Sequence, residues 1–127
     1  MNHQIINKEF STVVNLVVTF IQKKGFKIFD NIDQCQEATN VGLNIPKTRL
    51  IIFGNPKIGT LLMQENDDIT FELPIKLLLI QKGNQTELIY RDPLNFAGHE
   101  KLTETGKKIL QKMHKMYLEM YNFVSSK

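Results

Sequence analysis

Two short, uninterrupted apolar runs, at residues 50–53 and 77–80, constrain the fold of this chain more than any other feature. An apolar run of this length, without a polar break, is typical of a strand that is buried on both faces. A layer of helices on one side of a sheet would leave the other face of both strands exposed. Either helices cover both faces, therefore, or the second face meets another subunit, and we favour a homodimer.

The remaining elements follow from hydrophobic periodicity and from turn residues. We predict strands at residues 3–7, 26–32, 49–53, 74–82 and 86–91, the last two joined through a tight hairpin at Gly83-Asn84. We predict helices from Ser11 or Thr12 to Lys24 and at residues 33–39, 55–66 and 103–124. The order β-α-β-α-β-α-β-β-α predicts an α+β fold of two layers, a mostly antiparallel sheet with helices packed mainly on one face.

Three helices have an apolar face that should point into the core. In the first helix this face comprises Val14, Val17, Val18 and Ile21, and in the third Ile58, Leu61 and Leu62. In the last helix it comprises Ile109, Leu110, Met113, Met116, Tyr117, Met120, Tyr121 and Val124. The row of methionines is also the kind of surface that adapts to a partner, although its helical spacing is first that of a core stripe.

Length and composition exclude several classes of protein. The 127 residues suit one domain over residues 1–127, and 42% hydrophobic with 23% charged residues is ordinary globular composition. We expect a cytoplasmic protein without a membrane segment, because the N-terminus carries no secretory pattern and the apolar run at 13–21 is too short to span a bilayer. The net charge of +3 is modest and forms no aromatic-interleaved basic patch, so we expect no nucleic-acid partner.

Cysteine and histidine give no metal or cofactor site. Cys35 is the single cysteine, and His3, His99 and His114 share no ligand spacing with it or with each other. We therefore expect neither a metal nor a cofactor. Cys35 follows a predicted helix start and could act as a thiolate nucleophile, but a small buried hydrophobe is the more frequent role of a lone cysteine.

Several segments resemble the family called domain of unknown function 302. They are Val-Gly-Leu at 41–43, Arg-Leu-Ile-Ile-Phe-Gly-Asn-Pro-Lys-Ile-Gly-Thr-Leu-Leu-Met at 49–63, Leu-Pro-Ile-Lys at 73–76 and Tyr-Arg-Asp-Pro at 90–93. The resemblance implies a compact bacterial or archaeal α+β domain, with a TATA-binding-protein-like arrangement and no agreed activity. In one branch of that family a cysteine precedes the Asn-Pro pair. Gly54 stands there in this chain, so thiol chemistry does not carry over.

The best candidate site is the turn from strand to helix at residues 54–60. The start of a helix offers unpaired backbone N–H groups and a positive dipole end, both of which favour an anion. Asn55, Lys57, Gly59 and Thr60 would form this site. The spacing imitates a nucleotide-binding P-loop, but Thr60 follows Gly59 directly where Lys-Ser/Thr is required, so we reject a nucleoside triphosphatase. The simpler alternative is that Asn55 caps the helix and Pro56 starts it.

A second candidate lies where the hairpin ends, at Arg91 and Asp92. An arginine at a strand end can bind a carboxylate or phosphate in a bidentate manner. The alternative is an Arg91–Asp92 pair that shapes the turn before Pro93. If Arg91 and Lys57 converge in one pocket, ligand binding becomes the better interpretation.

Three functions are compatible with these patterns. The first is a non-enzymatic binding module for a small anionic ligand, held by Asn55, Lys57, Gly59, Thr60, Arg91 and Asp92. The second is a homodimeric structural or protein-interaction domain without a ligand. The third, which we favour least, is an enzyme of unknown reaction using Lys57, Arg91 and Asp92.

Overall fold

The computed structural model describes residues 1–126. Its strands are β1 (Asn2–Ile6), β2 (Lys27–Asp33), β3 (Thr48–Gly54), β4 (Ile75–Lys82) and β5 (Gln85–Tyr90). Its helices are α1 (Phe10–Lys23), α2 (Gln34–Asn40), α3 (Pro56–Glu65), α4 (Asp67–Thr70) and α5 (Glu104–Ser126). Two single 3-10 turns, Pro93–Asn95 and His99–Lys101, connect β5 to α5. The predicted order is confirmed, with α4 and the 3-10 turns as additions.

The five strands form one sheet in the order β1-β5-β4-β3-β2, and every neighbouring pair is antiparallel. The chain therefore has the predicted α+β fold. The two apolar runs are adjacent in the middle of the sheet, since Leu50 pairs with Leu78 and Ile51 with Leu77. The hairpin between β4 and β5 turns at Gly83-Asn84, as predicted.

The long helices α1 and α5 pack together against one face of the sheet. Because successive strand residues point to opposite faces, each strand contributes alternate side chains to the core beneath these helices. The fully buried side chains of this core include Ile6, Val13, Ile21, Ile51, Phe53, Leu77, Leu79, Leu88, Tyr117 and Met120. Within residues 1–126 neither α1 nor α5 covers the opposite face of the sheet, as expected for helices packed mainly on one face.

Local corrections concern the ends and faces of helices. Helix α1 begins two or three residues earlier than predicted, because the side chain of Glu9, not that of Ser11 or Thr12, caps it by accepting from the amide of Thr12. In α3, Leu62 is fully buried, whereas Leu61 is 41% exposed and does not point inward as expected. The apolar face of α5 points into the core as predicted. Its buried residues include Leu110, Met116, Tyr117, Met120 and Val124.

Among residues 1–126, no helix combines the length and the apolar character that crossing a lipid bilayer requires.

Candidate ligand-binding site

The turn between β3 and α3 is a fully capped helix start. The side-chain oxygen Oδ1 of Asn55 accepts hydrogen bonds from the amides of Lys57, at 3.0 Å, and Ile58, at 3.3 Å. Pro56 has no amide hydrogen, and the amide of Gly59 donates to the carbonyl of Asn55 at 2.9 Å. The amides of the first turn thus have partners within the chain. The geometry agrees with the capping alternative, and it leaves these N–H groups engaged rather than free for an anion.

Beside this turn lies a cavity of about 430 Å³. It is bounded by β2, by the start of α3, by the entry to β4 and by the middle of α5. The lining residues are Phe26, Phe29, Gly54, Asn55, Pro56, Ile58, Gly59, Thr60, Met63, Leu73, Pro74, Ile75, Ile109, Lys112, Met113 and Met116. We call this the α3–α5 cavity. Its walls are mostly apolar, and its polar side chains are those of Asn55, Thr60 and Lys112.

Of the predicted site residues, Asn55, Gly59 and Thr60 line the α3–α5 cavity, whereas Lys57 does not. The hydroxyl of Thr60 donates to the carbonyl of Pro56 at 2.7 Å and keeps its lone pairs available as acceptors. The cation that does line the cavity is Lys112 on α5. Its side chain is exposed, and it takes part in none of the ion pairs found among residues 1–126.

Arg91 lies elsewhere. It lines a different cavity, of about 390 Å³, at the ends of β4 and β5. Its Nε atom is 3.2 Å from Oε1 of Glu72, whose other oxygen accepts from the amide of Ala97 at 2.9 Å. Lys57 and Arg91 therefore do not converge in one pocket, and the guanidinium already has a carboxylate partner.

Asp92 serves the chain turn after β5. Its carboxylate lies 3.0 and 3.1 Å from Nδ1 of His114 and accepts from the amide of Leu94 at 3.0 Å. The expected Arg91–Asp92 pair is wrong, because the arginine pairs with Glu72 and the aspartate with His114. This arrangement ties the 3-10 turn at Pro93–Asn95 to α5, which is a structural role.

The thiol of Cys35 is half-buried, with Sγ 3.5 Å from the carbonyl of Ile45. It lines a third cavity, of about 320 Å³, together with Lys47 and Arg49. Among residues 1–126, no three side chains of His, Cys, Asp or Glu are grouped as a metal site would need.

The sequence did not predict that residues of α5 and β2 would line the cavity. The methionine row of the last helix has the spacing of a core stripe and the chemistry of an adaptable binding surface. Met113 and Met116 line the α3–α5 cavity, whereas Met120 is fully buried. Lys112 lies outside the apolar face predicted for the last helix, and a lysine in that position is typical of a solvated helix face. Lys112 lies at a cavity because α5 packs across the start of α3, and no local sequence pattern predicts this contact.

A family model described as "Domain of unknown function DUF302" matches residues 2–120. The crystal structure of an uncharacterized conserved DUF302 protein from Bacillus stearothermophilus has the same fold, with a TM-score of 0.81 over 98% of both chains. Its sequence is 16% identical to this chain, so the likeness concerns the fold alone.

Two curated relatives are fluoride-specific ion channels, FluC 1 of Brucella suis and FluC 1 of Brucella abortus. Each is 36% identical to this chain over 90 residues, which is 70% of this chain. The same match covers 35% of the first relative and 33% of the second. The chain therefore matches about a third of the length of these relatives.

Proposed function

The chain belongs to the family described as Domain of unknown function DUF302, and we propose that it is a small binding domain whose ligand occupies the α3–α5 cavity. The observation that carries this proposal is the cavity itself. Its volume of about 430 Å³ lies within the range of about 300–1,000 Å³ that is usual for small-molecule sites. A wall of apolar carbon with a few polar groups is also the usual composition of such sites.

The lining favours a ligand with an apolar body and one anionic end. Phe26, Phe29 and Met113 offer only carbon and sulfur to a ligand, and a compact inorganic anion would lose its hydration against them without compensation. Lys112 supplies an ammonium group that no carboxylate of residues 1–126 neutralises. A carboxylate or phosphate on an alkyl or aromatic body fits these features.

The cavity supports binding more than catalysis. Of residues 1–126, Lys112 alone brings a titratable side chain to the lining of this cavity. General acid–base chemistry uses a positioned proton donor or acceptor, and a nucleophilic mechanism pairs its nucleophile with a base. No such pair lines the α3–α5 cavity.

Thermal unfolding with a panel of fatty acids, aromatic carboxylates and alkyl phosphates tests this function. A ligand that binds only the folded state at a hundredfold excess over its Kd adds about 2.7 kcal/mol of stability. Lys112→Ala should weaken the protection by anionic compounds. Lys57→Ala is the matched control, because Lys57 lies outside the lining, and it should leave the protection unchanged.

Filling the cavity gives a second, independent variant. Gly59 lines the cavity, and a Cβ built on it meets no atom within 4 Å. Gly59→Leu should therefore fold, with about 1 kcal/mol gained in helix propensity, and lose the ligand. Equal protection of native protein and Gly59→Leu would place the ligand elsewhere and contradict the proposal. Absence of protection by every amphipathic anion in the panel would also contradict it.

A second candidate function is an accessory role on a fluoride channel. The observation in its favour is the 90-residue similarity, at 36% identity, to proteins named fluoride-specific ion channels. Because that similarity spans about a third of those proteins, the candidate role is that of a domain acting beside a channel. Co-expression with a fluoride channel tests it, and we expect co-purification and a changed rate of fluoride efflux from vesicles. A channel whose efflux and purification are the same with and without this chain argues against the role.

A further inference from the structure

The sheet face opposite α1 and α5 is apolar and uncovered. On β4, Ile75, Leu77 and Leu79 point into the core, so Lys76, Leu78 and Ile80 point to the opposite side. The registers extend this second surface across all five strands. Its apolar members are Ile5, Ile32, Leu50, Ile52, Leu78, Ile80 and Ile89. We call this surface the open face. All seven residues are half-buried or exposed, a contiguous apolar patch of a kind that marks interaction sites.

One row of the open face runs straight across the strands. Leu50 pairs with Leu78, Leu78 with Ile89, and Ile89 with His3. Two charged residues flank this row on opposite sides. Lys76 lies two residues before Leu78 on β4, and Glu87 lies two residues before Ile89 on the antiparallel strand β5. One end of the open face thus carries Lys76 near its centre, and the other end carries Glu87, whose Oε1 lies 3.8 Å from Nζ of Lys82.

Lys76 and Glu87 lie on opposite sides of the row, so a twofold axis can bring one towards the other. A twofold axis along the Leu78–Ile89 row would place Lys76 over the end of the face that carries Glu87 of the partner subunit. A twofold axis along β4 would instead bring Lys76 towards Lys76 of the partner subunit, and like charges in an interface are unfavourable. Of these two arrangements, the axis across the strands is therefore favoured.

The exposed apolar residues at the rim agree with the same axis. Met1 precedes β1 and Ile5 belongs to it, each two residues from His3 along the chain, and they are 73% and 47% exposed. The axis along the row would bring Met1 over Ile5 of the partner subunit. Phe71 is 86% exposed and lies at the Lys76 end, beside the cavity of about 390 Å³ that Leu50, Leu78 and Ile89 also line. A second copy of the chain on the open face would also cover the side chain of Phe71.

We propose that a second copy of this chain covers the open face, forming a twofold homodimer in which Lys76 of each copy pairs with Glu87 of the partner subunit. Two sheets packed face to face cross at about 30°, which is compatible with contact along a row that crosses the strands. The α3–α5 cavity lies partly beneath α5, away from the open face, so dimerisation leaves it accessible.

Analytical ultracentrifugation with a charge-swap series tests the homodimer and its axis. The native chain should sediment as a dimer, and Leu78→Asp as a folded monomer. Leu118→Asp is the matched control, because Leu118 is 43% exposed on α5 and lies away from the open face. Lys76→Glu and Glu87→Lys should each weaken the dimer at least about tenfold, or about 1.4 kcal/mol. The double variant should restore the dimer.

Glu87 also contacts His3 and Lys82 within its own chain, at 3.2 and 3.8 Å. Circular dichroism of each variant therefore has to show that the fold persists. A native chain that is monomeric up to its solubility limit overturns the homodimer. A dimer that Leu78→Asp leaves intact, or that the double variant fails to restore, overturns the proposed face or axis.

Discussion

The rings of Tyr90 and Tyr117 stack in the core, with centroids 4.1 Å apart and planes 10° from parallel. Tyr90 belongs to β5 and Tyr117 to α5, so the pair joins the last helix to the sheet. The two hydroxyls differ. That of Tyr117 donates to the carbonyl of Lys76 at 2.8 Å, whereas that of Tyr90 is buried without a hydrogen-bond partner in residues 1–126.

Removing the hydroxyl of Tyr117 and that of Tyr90 should change the free energy of unfolding differently. Tyr117→Phe breaks a buried hydrogen bond and should lower the free energy of unfolding by about 1 kcal/mol. Tyr90→Phe removes a desolvated group that gains nothing, so it should be neutral or stabilising by up to about 1 kcal/mol. Urea denaturation of the three proteins measures both values. Equal destabilisation by the two variants would contradict this difference between the hydroxyls.

Alkaline pH should reveal the same buried phenol. Burial first, and then the neighbouring Tyr90, raise the pKa of Tyr117 above its ordinary value of 10.0. The unfolded chain loses this proton near pH 10 while the folded chain keeps it. The stability contributed by Tyr117 is therefore complete below about pH 10 and is lost as the pH rises further. Denaturation from about pH 9 to 11 should show a steeper loss for the native chain than for Tyr117→Phe, and parallel curves would contradict the raised pKa.

Asn55 should stabilise the start of α3 with or without a ligand. Its side chain accepts from two amides, so Asn55→Ala should cost about 1 kcal/mol of stability. Asn55→Asp keeps the acceptor and suits the helix dipole, so its stability should stay within about 0.5 kcal/mol of the native value. Thermal unfolding of both variants checks this. An alanine variant as stable as the native chain would refute the capping role.

Removing Glu72 should destabilise the fold more than removing its ion-pair partner Arg91. Glu72 is a buried acid that also accepts from the amide of Ala97, so Glu72→Ala should cost about 2–3 kcal/mol. The side chain of Arg91 is 48% exposed, and Arg91→Ala should cost about 1 kcal/mol. A double-mutant cycle should give a coupling of at least about 0.5 kcal/mol, and no coupling would mean that the pair contributes nothing.

Gly98 and Gly42 offer a matched pair of substitutions. Both have positive φ, 81° and 79°, so alanine strains the backbone at either position by about 1–2 kcal/mol. At Gly42 a Cβ meets nothing within 4 Å, whereas at Gly98 it collides with Asn66, whose side chain caps α4. Gly98→Ala should therefore lower the melting temperature more than Gly42→Ala. Equal losses would show that the collision is relieved without cost.

Periodicity and turn chemistry are local properties, and they were sufficient for the order of the elements. The apolar runs at 50–53 and 77–80 specified the two central strands, because an uninterrupted apolar segment of this length is typical of a strand in the middle of a sheet. The hairpin at Gly83-Asn84 and the cap at Asn55 followed from the residues alone. The cap of α1 at Glu9 could not be predicted in this way, because a glutamate is an uncommon cap and Ser11 and Thr12 are stronger local signals.

The partners of charged side chains were decided by the tertiary structure. Arg91 and Asp92 are neighbours in sequence, yet successive residues at a strand end point apart, and each finds a partner brought by another element, Glu72 or His114. Lys57 and Lys112 are both exposed lysines on amphipathic helices, and no local pattern distinguishes them. Only the crossing of α5 over the start of α3 puts Lys112 at a cavity and leaves Lys57 outside it, because a cavity is a property of packed elements and not of any one segment.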